Sequence, residues 1–328
     1  MNSANRGFYA RLVTAGCGAI FGAILSTGAL GQAWPSRPIT LYYPFGPGAD
    51  VWLRAVASDM TKSLGQPVLV ENRPGAGGRV GMTALMQGKP DGYLISMVTN
   101  TMVVHLPLLS PTFNIEPVKH YTPITQLFNL KLAIYATATV PFRDMKGLIE
   151  YGNANPGKLN FGSNGTGSLG HLGLELLSSK AGLKATHISY KGESDQVSAM
   201  LAGDLHLMIT SGGPKAQVNA GRLQVLATTG DTRWKVYPDK PTALESGIDY
   251  VFMQWQGVVG PPGLPADISD RLSVEIHKAM NSPGAIKLAE IAGTDTLSES
   301  TPRDLTALIR SELRGLEAFA RQTGIVFE

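Results

Sequence analysis

The sequence predicts an α/β protein of two lobes, and three observations predict it. Short β-rich runs alternate with helically spaced stretches along most of the chain. The runs end in loops rich in Gly, Pro, Ser and Thr. Two extended apolar segments far apart in sequence, residues 130–135 and 252–260, have the look of paired crossings between lobes. Alternation of this kind predicts mostly parallel sheets, in which ligands lie beyond the carboxyl ends of the strands. The paired crossings make one lobe discontinuous, residues 34–131 plus 252–328, and the other continuous, 132–251.

The chain opens with Arg6 and Arg11, an apolar run over residues 12–30, and the small residues Gly31-Gln32-Ala33. This is the pattern of a Sec signal peptide over residues 1–33, which implies export to the periplasm. Thr14-Ala15-Gly16-Cys17 resembles a lipobox, but almost all of the apolar run follows Cys17, where an export segment should precede it. As a permanent anchor the run is marginal against the ~20 residues that a span requires, and its Gly/Ala content and cleavage site favour removal. Cleavage leaves 328 − 33 = 295 residues and takes away the one cysteine. Neither a disulfide nor a thiol nucleophile is then expected. Loss of two arginines and no acids lowers the formal charge from +3 to +1, which excludes a strongly basic nucleic-acid surface.

Residues 39–43 read as a strand that stops at Pro44-Phe45-Gly46-Pro47-Gly48, and residues 50–64 follow as a helix with Val51, Val56, Met60 and Leu64 near one face. The unit recurs at 67–71, a Gly-rich turn over 72–78, and a helix over 80–87. A strand over 94–99 ends at Asn100-Thr101. Residues 159–162 lead through 163–168 into a helix over 169–181; 187–190 lead through Lys191-Gly192-Glu193 into 194–202; and 205–210 end at Ser211-Gly212-Gly213. Beyond the second crossing and the stiff Pro261-Pro262-Gly263, only helical patterns remain: 265–281, 284–292 and 302–323.

Gly165-Thr166-Gly167-Ser168-Leu169-Gly170 satisfies the G-x-G-x-x-G pattern of dinucleotide sites. The acid expected to close the next strand is missing, because 186–190 end in Lys191-Gly192 and Glu193 stands beyond the turn, so a nicotinamide enzyme is disfavoured. Ser168 and Ser163 each lack one glycine of the G-x-S-x-G elbow, which disfavours a serine hydrolase. Small residues at a strand-to-helix turn do suit anion capture by backbone N–H groups at a helix N-terminus, with a tight turn of no further purpose as the alternative. Pro44 to Asp50, Asn100, Thr101, Ser163 to Ser168, Tyr190, Lys191 and Ser211 would line one cleft dominated by hydroxyls, amides and main-chain donors. No carboxylate pair is placed for acid/base work, and His105, His120, His171, His187, His206 and His277 lack metal-ligand spacing. No enzyme activity, cofactor or metal is expected.

Seven segments carry a family likeness: WPSRPITLYYPFGPGAD (34–50), LGQPVLVENRPGAGGRVG (64–81), KPDGYLISM (89–97), NPGKLNFGSNGTGSLGHLGLELLSSKAGL (155–183), HISYKGES (187–194), AGRLQVLATTGDTRW (220–234) and PTALESGI (241–248). In this order the chain resembles the Bug-type receptors of tripartite tricarboxylate transporters, from about Trp34 to the C-terminus. The resemblance implies a two-lobed periplasmic-binding-protein fold of type II-like form with an interdomain ligand cleft. It implies a non-catalytic monomer that closes on a small organic carboxylate and delivers it to membrane permease subunits, with no nucleic-acid partner. An exported sensor feeding a two-component signalling partner is the alternative. Carried over by position, the ligand-binding residues are Phe45, Gly46, Pro47, Gly48 and Asp50 in the first lobe, and Ser163, Gly165, Thr166, Gly167, Ser168, His171, Tyr190 and Lys191 in the second; the loop reading adds Asn100, Thr101, Asn164 and Ser211. The first loop is two residues shorter than the family's PFPPGGxTD and lacks the Thr before Asp50, and Thr210-Ser211 replace an acid at a strand end. With Lys191 the one evident cation, a dicarboxylate, aromatic ones included, is preferred to a tricarboxylate. Trp52 and Trp255 could stack on such a ligand, although core packing is the commoner role of a buried Trp.

Overall fold

Two sheets organise the chain. The computed structural model describes residues 34–48, 50–110, 113–211, 213–292, 294–296 and 299–324; the proposed signal segment, residues 1–33, lies outside them. The strands and helices below all belong to one compact unit, Pro38–Glu328.

The first sheet has six strands: β1 (Ile39–Tyr43), β2 (Val68–Asn72), β3 (Leu94–Thr99), β4 (Thr122–Leu130), β10 (Gln254–Gly260) and β11 (Asp295–Thr296), in the order β11-β4-β10-β3-β1-β2. The second has five: β5 (Ala133–Thr137), β6 (Leu159–Ser163), β7 (Ala185–Ser189), β8 (Leu207–Thr210) and β9 (Leu223–Thr228), in the order β7-β6-β8-β5-β9. The first sheet thus draws on both ends of the described chain and the second on its middle.

The sheets are mixed rather than mostly parallel. β1 pairs parallel with β2 and β3, and β6 with β7 and β8, whereas β10 and β5 run antiparallel to both of their neighbours. The cause is the crossing itself. β3 and β8 end at the edge where the chain passes between sheets, so a strand arriving from the other sheet starts at that edge and must run the opposite way. At the crossing, Thr229 N donates to Leu132 O, Leu132 N to Thr229 Oγ1, and Phe252 N to Thr229 O, which ties the two passages together. A second difference is β11, two residues in a stretch whose sequence carries only helical patterns; its pairing with Asn129 and Phe128 of β4 extends the sheet edge.

Helices cover the faces. α1 (Val51–Leu64) buries Leu53, Val56, Ala57 and Met60, the i, i+3, i+4, i+7 stripe of an amphipathic helix, and stops at Gly65, whose left-handed φ of 68° lets its N–H donate to Thr61 O. Complete burial of each large apolar side chain contributes about 1.5–3 kcal/mol. α2 (Arg79–Met86), α3 (Leu106–Leu109) and α4 (Met145–Ala154) follow, with a π-helical turn, Thr101–His105, directly after β3. α5 (Leu169–Ala181), α6 (Glu193–Ala202) and α7 (Lys215–Asn219) serve the second sheet. α8 (Ala266–Met280), α9 (Pro283–Ala292) and α10 (Pro302–Thr323) return to the first. α10 begins at a capping box, Thr301 with Asp304 and Pro302 at N1, and buries Leu305, Ile309, Leu316 and Phe319 against β4 and the π-turn.

Candidate functional site

The loops singled out in the sequence all stand at the carboxyl ends of strands: 44–50 after β1, 100–101 after β3, 163–168 after β6, 190–191 after β7 and 211 after β8. Register explains which of them meet. Tyr43 pairs with Asn72 at the ends of β1 and β2, and Ser163 with Ser189 at the ends of β6 and β7.

In the first loop Phe45, Gly46, Pro47 and Gly48 are exposed, whereas Asp50 is buried. The Asp50 carboxylate is used within the loop. Gly48 N donates to its Oδ1 at 3.0 Å, and Arg54 Nε and Asn72 Nδ2 donate to its Oδ2 at 2.8 and 3.2 Å. Burial would raise its pKa; the Gly48 amide, Arg54 and Asn72 outweigh that and hold it below the usual carboxylate range. Asn72 also donates to Phe45 O, so one acid and two neighbours brace a loop whose tip stays exposed. Arg54 could be found as the i+4 partner of Asp50 on α1. Asn72 could not, because only strand pairing brings it there.

The loop after β6 is built on the same plan. Ser168 caps α5, its Oγ accepting from His171 N. The amides of Leu169 and Gly170, at the first two positions of the helix, have no carbonyl four residues back within it to accept them. Gly165, at φ 107°, takes a backbone conformation that L side chains rarely adopt. His171 Nδ1 accepts from Gly167 N at 3.1 Å, and its Nε2 lies 3.6 Å from Glu175. Its ring stacks on His187 with centroids 3.8 Å apart. Ser163 Oγ donates to Gly165 O at 2.9 Å, so its 2.7 Å contact with His187 Nε2 is one it receives. A serine nucleophile needs the opposite polarity, its proton passing to the imidazole. Burial first, and then the neighbouring His171, push His187 down to about 4.

Of the polar side chains at these loops, Asn164 accepts from Gln196 at 2.6 Å and is exposed, as are Thr166, Lys191 and Ser211, and Tyr190 is half-buried. Thr210 donates to Glu193, and a Cβ added at Gly213 would meet that carboxylate, which would have to swing aside. Asn100 departs from the open-loop pattern. It is completely buried, donating to Met253 O and to Glu312 Oε1 at 3.0 Å each and accepting from Thr101 N. Glu312 also receives His105 Nε2 and Trp255 Nε1, both at 2.6 Å. Burial raises the Glu312 pKa, but His105, Trp255 and Asn100 outweigh it and lower it overall. Trp255 is therefore a hydrogen-bonded core residue, and Trp52 donates to Ala285 O and packs edge-on against Phe128. The sequence carries no local signal for the Glu312 cluster, because Asn100 and His105 lie more than 200 residues from Glu312.

Two cavities adjoin this framework. One, of about 900 Å³, lies between α5 and α10 beside residues 251–255, with Glu312 and His105 in its wall. The other, of about 180 Å³, lies below the start of α1. Neither is lined by any of the seventeen residues drawn from the sequence.

Two α/β sheets joined by paired crossings, with main-chain-rich loops at their strand ends, define the periplasmic-binding-protein class, in which a solute is held without being transformed. Within that class, residues 52–325 match the family model of the tripartite tricarboxylate transporter family receptor. The chain belongs to that family, which is one of solute-binding receptors rather than enzymes. A UPF0065 protein of Bordetella pertussis is 32% identical over 306 residues, covering 92% of this chain and 94% of that protein. Among solved structures, the periplasmic binding protein BugD is 28% identical with a TM-score of 0.73, covering 89% of this chain and 99% of its own. R. palustris Rpa4515 with adipate is 26% identical with a TM-score of 0.75, at 89% and 99% coverage.

Proposed function

We propose that this protein captures a small organic carboxylate, a dicarboxylate with aromatic members in its range, and presents it to a tripartite tricarboxylate transporter-type permease. The two sheets correspond to two lobes, 34–131 plus 252–328 and 132–251, and the ligand lies between them, held by the seventeen loop residues directly or through their main chain. The protein works in the periplasm as a monomer, after removal of residues 1–33. One observation carries the reading: the loop after β6 ties back Ser163 and His171 and leads into a 13-residue helix whose first amides have no carbonyl within the helix to accept them, which suits an anion. The adipate bound by Rpa4515 is of the same ligand class.

The test is a thermal-shift series with succinate, adipate, malate, citrate, benzoate and phthalate. A ligand that binds only the folded state at 100 times its Kd adds about 2.7 kcal/mol of stability. A rise in Tm with the dicarboxylates, and a smaller one with citrate, is expected. A flat response to all six would refute carboxylate capture.

A further inference from the structure

The smaller cavity has a use that the loops alone do not suggest. Its lining includes the apolar Tyr43, Trp52, Leu53, Met97 and Phe128 and the polar Gln256 and Thr294. Tyr43 ends β1, Phe128 lies near the end of β4, and Trp52 is at the start of α1, so the lining of the recess reaches the strand ends where the loops stand. Polar groups in its wall are already engaged or neutral. Trp52 Nε1 is taken by Ala285 O. Burial, and then the charge of Asp50, raise the Tyr43 hydroxyl to about 12, so it carries no charge at neutral pH. Thr294 Oγ1 donates to Ala289 O, so apart from the Gln256 amide what remains is mainly ring and hydrocarbon surface. At about 180 Å³ the recess exceeds the ~150 Å³ of an apolar protein cavity that accepts benzene.

The recess is also joined to the first loop. Phe45, exposed on that loop, packs edge-on against Tyr43 with ring centroids 5.4 Å apart. A carboxylate at the loop amides would therefore have an apolar shelf beside it that leads inward along Tyr43. We infer that this recess is a specificity subsite that takes the apolar arm, aryl or short alkyl, of the bound carboxylate. The inference rests on the carboxylate reading above and adds the half of the ligand that the anion-binding loops leave unspecified.

Titration calorimetry with succinate and phenylsuccinate tests it, because the two share their carboxylates and differ in the ring. The unmodified protein should bind phenylsuccinate at least tenfold more tightly than succinate. Ala292→Phe starts from an exposed position in the cavity wall and fills the recess. It should cost phenylsuccinate at least tenfold and succinate less than twofold, with circular dichroism and Tm unchanged. Met97→Ala enlarges the recess and should shift the preference from phenyl to naphthyl. Equal affinity for the two ligands, or a filling variant that weakens both alike or neither, overturns the subsite and leaves carboxylate capture standing. Binding of neither ligand overturns the subsite, and carboxylate capture falls with it only if the thermal response to all six carboxylates is also flat.

Discussion

Replacing Glu312 by Ala should destabilise the protein more than any loop substitution. Glu312 belongs to α10 and receives His105 Nε2 at 2.6 Å, Trp255 Nε1 at 2.6 Å and Asn100 Nδ2 at 3.0 Å, so it joins the end of β3, the π-turn, the start of β10 and the C-terminal helix. Truncation strands three donors whose residues are at most 4% exposed. Each buried donor left without an acceptor costs about 1–3 kcal/mol. Asn100 keeps its bond to Met253 O, and the Glu312 side chain is 24% exposed, which admits water as a replacement. The sum is then about 3–4 kcal/mol, or a fall in Tm of roughly 5–7 °C for a chain of this size, at about 2.1 cal/mol/K of unfolding entropy per residue. Differential scanning calorimetry measures it. Glu312→Gln keeps one acceptor but turns its amide N–H groups toward a donor, and should lie between the two. Acid behaviour gives an independent reading. The carboxyl is held below its ordinary range in the folded state, so its stabilisation is complete above the unfolded pKa and is lost as pH falls through the folded one. Glu312→Gln should therefore lose less on acidification than the unmodified protein. A drop in Tm of less than about 2 °C for Glu312→Ala, under half the low end of that range, would show that the cluster does not hold these elements together.

Other outcomes follow from the loops. His187, lowered to about 4 from an ordinary 6.5, remains neutral in the folded protein while the unfolded chain takes up a proton. Stability should fall as pH drops from about 6.5 to 4, by on the order of 1–2 kcal/mol once partial exposure is discounted, and His187→Asn should flatten that slope in urea titrations. Gly165→Ala meets no neighbouring atom, so its cost is backbone strain alone, about 1–2 kcal/mol; carboxylate affinity should fall at least fivefold, and unchanged affinity would remove this loop from the site. Gly213→Ala must displace Glu193 and break its bond from Thr210, with an expected loss of about 1 kcal/mol in thermal unfolding.

Local rules placed most of the helices and loops. The helical spacing over 50–64, 169–181 and 302–323 is written into residues a few positions apart, and the observed helices begin at Val51, Leu169 and Pro302. Elements shaped by distant partners were harder to read. The sequence carries no marked helix or strand pattern over 106–129, 145–154 or 215–228, where α3, most of β4, α4, α7 and β9 lie. β4 carries Pro123, Gln126 and Asn129 within its nine residues, so its pattern is broken and only its neighbours β10 and β11 make it a strand. β11 is too short to show any period.

From sequence alone came the alternation of strands and helices, the Gly-rich turns at strand ends, the two crossings and the family likeness. Each depends on residues within a few positions of one another, or on their order along the chain. Tertiary structure decided strand direction at the crossings and which polar side chains are consumed inside the loops. It also decided that Asn100 turns inward to Glu312, and that Tyr43, Trp52 and Phe128 enclose a recess. Those outcomes depend on which atoms meet after residues tens to hundreds of positions apart are brought together. A hydroxyl, amide or carboxylate is free for a ligand only when no such neighbour has already claimed it.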